Sequence, residues 1–171
     1  MTQHRRVFTG GIVAVDVSAL TLPDGTQANF EIVRHPGGAA IVALDVDRRV
    51  CLLNHLRPAV GRWLCELPAG KLDDGEDPRL TAERELQEES GIHAREWRSL
   101  GTVLSSPGVF TEVVHLFLAT GLNTIDAQPQ AGEIFTVSWE PLEVACARAL
   151  SGEIVDAKTV IGLLRAQAAL R

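Results

Sequence analysis

The chain has 171 residues, 46% of them hydrophobic and 22% charged, with a formal net charge of −6. That length makes one domain able to bury about two-thirds of its unfolded surface, and the composition excludes a disordered chain. The negative balance argues against a nucleic-acid backbone or an anionic membrane as main partner, and leaves room for a local basic pocket that takes a small anion.

The N-terminal MTQHRRVFTGG lacks a long apolar signal region, and no apolar run approaches the roughly 18 residues of a membrane span. Cys51, Cys65 and Cys146 stand far apart without a CxxC pair, so free thiols in a cytoplasmic protein are expected. Val7 to Val17 and Gln27 to Val33 carry β-branched apolar residues on either side of the turn-like Leu22-Pro23-Asp24-Gly25. They predict an N-terminal antiparallel hairpin within residues 1–35. Gly38 to Val46 and Val50 to Leu56 are apolar runs broken by Asp47-Arg48-Arg49, and read as strands of the sheet core. Trp63 to Leu67 reads as a short strand delivering the chain to Pro68-Ala69-Gly70. Beyond a central helix, Trp97 to Leu104, Val113 to Ala119 and Glu133 to Trp139 read as further strands. Pro141 can open a helix running to Leu150, and Asp156 can cap another that continues to the C-terminus with Val160, Ile161, Leu163, Leu164 and Ala168 on its apolar side. This order predicts a single α/β domain over residues 1–171, a mixed sheet sandwiched between helices as α/β/α.

The stretch Gly70 to Ile92, GKLDDGEDPRLTAERELQEESGI, concentrates the chemistry. Asp77 is a good N-cap, Pro78 suits the first helical position, and Gly91 can take the left-handed conformation that ends a helix. At 100° per residue, Glu85, Glu88 and Glu89 fall within an arc of about 100°, with Arg84 one turn before Glu88. Like charges one turn apart destabilise a helix by roughly 0.2–0.5 kcal/mol per pair, so something should compensate. Arg84 can neutralise one acid, and the remaining set of hard oxygens suits Mg²⁺ or Mn²⁺. For an arbitrary run of acids, a solvated face is the simpler alternative.

Written as spacings, the segment is Gly70, five residues, Glu76, seven residues, Arg84-Glu85-Leu86, one residue, Glu88-Glu89, one residue, Gly91-Ile92. This resembles the complete signature of the Nudix hydrolases, which cleave a nucleoside diphosphate linked to another moiety with divalent cations held on this helix. The resemblance implies Glu85 and Glu89 as principal metal ligands with Glu88 assisting, Arg84 as the residue that orients them, and Glu76, Gly70 and Gly91 in structural roles. The segments Arg34-His35-Pro36-Gly37, Glu66-Leu67-Pro68-Ala69-Gly70-Lys71-Leu72-Asp73, Ser106-Pro107-Gly108 and Gly152-Glu153-Ile154-Val155-Asp156-Ala157-Lys158-Thr159 resemble those of ADP-ribose pyrophosphatases and related nucleotide-sugar hydrolases.

That narrower likeness implies the carbonyl of Ala69 as a further metal ligand and Glu133 as general base in a loop beyond the sheet. The alternatives for Glu133 are a plain surface acid, with Asp126 as the base instead. Arg57 holds the place of a phosphate-contacting arginine, although the usual Gln-Tyr-Arg reads His55-Leu56-Arg57 here. Phe8 could stack on adenine or pack in the core, and Glu112 could meet the distal sugar or be exposed. His35, His55, His93 and His115 show no metal-ligand spacing. The implied activity is Mg²⁺-dependent, or Mn²⁺-dependent, hydrolysis of ADP-ribose or a related nucleotide sugar to AMP or another NMP and a sugar phosphate. The only implied partners are this small substrate and a second subunit, in a homodimer whose N-terminal hairpin reaches the other active site. Alternatives are another nucleoside diphosphate derivative, such as GDP-mannose or a dinucleoside polyphosphate, or a catalytically silent nucleotide-sensing module. The intact Glu85, Glu88 and Glu89 argue against the last.

Overall fold

In the computed structural model, which describes residues 3–124 and 134–171, the fold is built around β4 (Gly38–Ala43), all six residues of which are buried. A strand apolar on both faces needs cover on both, and β4 has it. Ala39, Ile41 and Ala43 point to one side, where they pack with Ala82 and Leu86 of α1 (Pro78–Ser90) and with Phe117 and Ala119 of β9 (Val113–Thr124). Val42 points to the other, into a cluster with Ala145 and Cys146 of α2 (Leu142–Leu150) and Leu163 and Ala166 of α3 (Ala157–Ala169). At Gly162 an added Cβ would lie 2.7 Å from Leu67 Cδ1, so α3 approaches this closely only without a side chain there. The layering is therefore α1, sheet, then α2 and α3: the α/β/α sandwich that the order of elements predicts.

β4 lies inside a mixed sheet of order β7-β4-β9-β8, parallel to β9 and antiparallel to β7 (Ala69–Lys71). The outer strand β8 (Ile92–Leu104) begins directly after Gly91, because Ile92 and Ala94 join the apolar cluster beneath α1. The segment ahead of Trp97, which carries no strand signal of its own, is thus a strand by packing. A second sheet has order β10-β5-β6, with β5 (Arg49–Arg57) between β6 (Arg62–Glu66) and β10 (Phe135–Pro141).

The N-terminal hairpin is β2 (Ala14–Thr21) and β3 (Gln27–Arg34), and a third strand, β1 (Gln3–Thr9), pairs with the free side of β2. Val7 to Val17 is therefore two strands rather than one, folded back where Gly10 N–H donates to the Val13 carbonyl at 2.8 Å. Asp16 ties this sheet across, accepting from Arg6 Nε and from Arg34 Nε, the latter at 2.9 Å. Both ends of the main helix close as their residues predict. The Asp77 carboxylate accepts the Arg79 N–H at 2.8 Å, and Gly91, with φ 63°, donates to the Gln87 carbonyl. Among the described residues no helix is long and apolar enough to cross a membrane.

Candidate active site

The site forms where β7 passes under α1. Glu85 and Glu89 face inward from the helix and are only 5% and 2% exposed, which burial of carboxylates permits only with hydrogen bonds or charges to meet them. Glu89 Oε2 accepts the Ala69 N–H at 2.8 Å. The Glu85 carboxylate rests directly on the Cα of Gly70, where an added Cβ would lie 1.9 Å from its Cδ. Gly70 is thus a matter of space, since its backbone conformation demands no glycine.

Arg84 stitches the acids together. Its Nη1 donates to Glu85 at 2.7 Å and to Glu88 at 3.4 Å, while Nε and Nη2 fork onto Glu76 at 3.1 and 3.0 Å. A further bond from Nη2 to the Lys71 carbonyl, at 3.2 Å, fastens the helix to the end of β7. Arg84's hydrogen bonds hold the Glu76 carboxyl at about 2, well below its ordinary 4.5. Glu76 also accepts the Asp73 N–H, which closes the acidic loop.

A second charged group enters from the other sheet. Glu66, 1% exposed at the end of β6, accepts two bonds from Arg57, at 2.8 and 2.7 Å, and one from Lys158 in the first turn of α3. Burial by itself would raise the Glu66 carboxyl, but Arg57 and Lys158 outweigh it and hold it at about 2. Lys158 also lies 3.0 Å from Asp156, the N-cap of α3. At the mouth, His35 Nδ1 accepts the Gly37 N–H at 3.0 Å and stands 3.4 Å from Glu112.

Part of this set lines a cleft of about 630 Å³, whose walls include Ala69, Gly70, Glu85, Arg57, Lys158 and Glu112. Its apolar lining comes from Ile12, Val103, Leu104, Val114 and Ile161. The cleft thus joins residues that the sequence offers separately: Ala69, Gly70 and Glu85 of the motif with Arg57 and Glu112 from outside it. Phe8 is 53% exposed on β1 and does not line the cleft; Ile12, in the turn between β1 and β2, does. Glu133 and Asp126 lie outside the described residues. Glu66 and Lys158, which stand in the resembling segments with no role assigned to either, meet here. A further signal, beside those segments, is a lysine two residues after the helix N-cap Asp156, where a cation is disfavoured.

Among the described residues no three His, Cys, Asp or Glu side chains converge as a ready metal cage, and Arg84 engages both Glu85 and Glu88. The donors are nevertheless of one chemical kind. The Ala69 carbonyl and the carboxylates of Glu85 and Glu89 are hard oxygens, fitting Mg²⁺ or Mn²⁺ and not a softer ion. The buried thiol of Cys51 is no rival as a reactive group, since burial pushes it up to about 12.

A match to the NUDIX domain covers residues 34–160, which includes every strand and helix that builds this cleft except the N-terminal sheet and the end of α3. The chain belongs to the NUDIX family. It is 40% identical over 166 residues to an ADP-ribose pyrophosphatase of Mycobacterium tuberculosis, covering 95% of this chain and 80% of that one. An ADP-ribose pyrophosphatase of Bacillus subtilis is 35% identical over 162 residues, covering 92% and 86%. A methanol dehydrogenase activator of Bacillus methanolicus is 35% identical over 170 residues, covering 97% and 92%. The matched region contains the glutamate helix α1 and the strand β7 that it crosses.

Proposed function

We propose that this NUDIX protein hydrolyses the diphosphate linkage of ADP-ribose or a related nucleotide sugar, releasing AMP or another NMP and a sugar phosphate. The observation that carries this reading is the buried Glu85 carboxylate pressed on Gly70 inside a cleft that also holds the cationic side chains of Arg57, Lys71 and Lys158. The names of the two pyrophosphatase relatives support ADP-ribose as first choice.

A diphosphate resists hydrolysis because its anionic oxygens repel a nucleophile, so catalysis needs neutralisation and positioning more than covalent chemistry. The Ala69 carbonyl, Glu85 and Glu89 would hold the divalent ion, Mg²⁺ by preference, with Glu88 assisting. When bound, that ion supplies positive charge to the phosphoryl oxygens and makes a water more acidic. Arg84 keeps the carboxylates in register through its bonds to Glu76 and Glu85, and Arg57 presents a fixed guanidinium to a phosphate. Glu133 is the proposed base that takes the proton of the attacking water. Glu112 lines the cleft where it can meet a sugar hydroxyl.

The free thiols Cys51, Cys65 and Cys146 fit a reducing, cytoplasmic compartment. A homodimer through the N-terminal sheet is supported by Val7 and Phe8 of β1 and Ile12 of the turn that follows, which expose 46%, 53% and 58% of their surface. Light scattering at the monomer mass would contradict it. The function itself is tested by incubating the purified protein with ADP-ribose, GDP-mannose and a dinucleoside polyphosphate in Mg²⁺, and resolving the products. AMP with ribose phosphate is expected, and none in excess EDTA. Turnover only of GDP-mannose would move the substrate, and no turnover of any would favour a nucleotide-sensing role.

A further inference from the structure

The Glu66 cluster is built at odds with local preference, and that points to a use. Lys158 occupies the first turn of α3, where the helix dipole disfavours a cation. It is only 17% exposed, and it is drawn over Glu66 and Asp156 rather than left to extend into water. The turn that carries it is locked in place by the Leu67 N–H, which donates to Thr159 Oγ1 at 2.8 Å. Arg57 arrives from β5 and meets the same buried carboxylate through both its Nε and Nη2. One anion, 1% exposed, therefore aims two cations from different elements into the cleft that contains Glu85.

His55 is held below its ordinary value first by burial and then by Arg57, with Lys158 acting in the same direction and Glu66 opposing them. Asp156 already spends one oxygen on the Thr159 N–H at 3.0 Å and the Thr159 hydroxyl at 2.6 Å, so it shares its charge with the helix end.

Building on the hydrolase reading above, we infer that Lys158 joins Arg57 in gripping the substrate diphosphate, and that Glu66 is the positioning residue that holds both cations ready. Lys158 is the contacting residue; Glu66 acts only through it and Arg57. Fixing both cations before binding spares the substrate the ordering of two long side chains. A diphosphate offers several acceptor oxygens, so it can take a bond from each cation without displacing Glu66.

The test uses Lys158→Met, which keeps the stem and removes the charge. Two readouts are taken: binding of inorganic diphosphate in EDTA by calorimetry, and KM and kcat for ADP-ribose in Mg²⁺. The variant is expected to bind diphosphate about 10- to 100-fold more weakly, with the loss falling on KM more than on kcat. Glu66→Gln should raise KM as well, and the double variant should lose less than the two single losses combined, because both remove one unit. Should Lys158→Met not fold, Lys158→Gln retains a donor to Glu66 without the charge, and the same weakening is expected of it. A folded Lys158 variant with diphosphate affinity within about twofold of the parent would overturn the inference, as would full additivity with Glu66→Gln. A parent that binds diphosphate through Lys158 yet hydrolyses no nucleotide sugar would sink the proposed function and leave the grip standing.

Discussion

Replacing Gly70 by alanine should disable the enzyme by moving one carboxylate. The new Cβ would stand 1.9 Å from both Cδ and Oε1 of Glu85 and 2.4 Å from Oε2, whereas ordinary contact begins at 3.4 Å. The backbone of Gly70 cannot yield, because β7 is paired to β4 and Gly70 lies opposite the fully buried Ala39. Glu85 must therefore retreat along the helix face, against its 2.7 Å bond to Arg84. A displacement of about 1 Å at a reacting centre costs about 10²-fold in rate, so kcat for ADP-ribose should fall by at least about that factor. Overpacking by one methyl should lower stability by about 1–3 kcal/mol, leaving a cooperative fold. Steady-state kinetics, a thermal melt and a Mg²⁺ titration of activity together read this out, and the titration midpoint should rise because a ligand has moved. A folded Gly70→Ala protein with kcat within about threefold of the parent would refute the claim that Glu85 works from its place on Gly70.

Glu89→Gln keeps an oxygen to accept the Ala69 N–H, so its Tm should stay near the parent's while activity drops by more than about 100-fold from the lost ligand charge; near-normal turnover would remove Glu89 from the ligand set. Glu133→Gln should lower kcat by roughly 10²–10⁴ with KM and the metal titration nearly unchanged, and an unchanged kcat would shift the base to Asp126 or Glu88. Stability should fall on acidification. The Glu66 and Glu76 carboxyls are held at about 2 in the folded chain against an ordinary 4.5, so their contribution is full above pH 4.5 and is lost as pH falls through about 2. Tm measured across that window should decline less steeply in Glu76→Gln than in the parent, and equal slopes would deny the Glu76–Arg84 pair its part.

Much of this protein is written locally. Asp77, Pro78 and Gly91 bound α1 by capping chemistry, and the 3.6-residue period alone puts Glu85, Glu88 and Glu89 on one face with Arg84 beside them. The unbroken apolar run of β4 likewise announces a strand covered on both sides. The sequence also carries the family resemblance, because the motif's spacing is a property of one continuous segment. Other features have no local record. β7 is three residues long and owes its existence to pairing with β4, and β8 begins early because α1 covers Ile92 and Ala94. Glu85 meets Gly70 only because α1 crosses β7, and Lys158 reaches Glu66 across 92 positions of chain. Contacts of that kind leave no period and no spacing to read, since each partner's local surroundings are satisfied without the other. Only the packing of α1 and α3 on opposite faces of one sheet, with β5 of the second sheet beside them, brings Glu85, Lys158 and Arg57 to a single cleft.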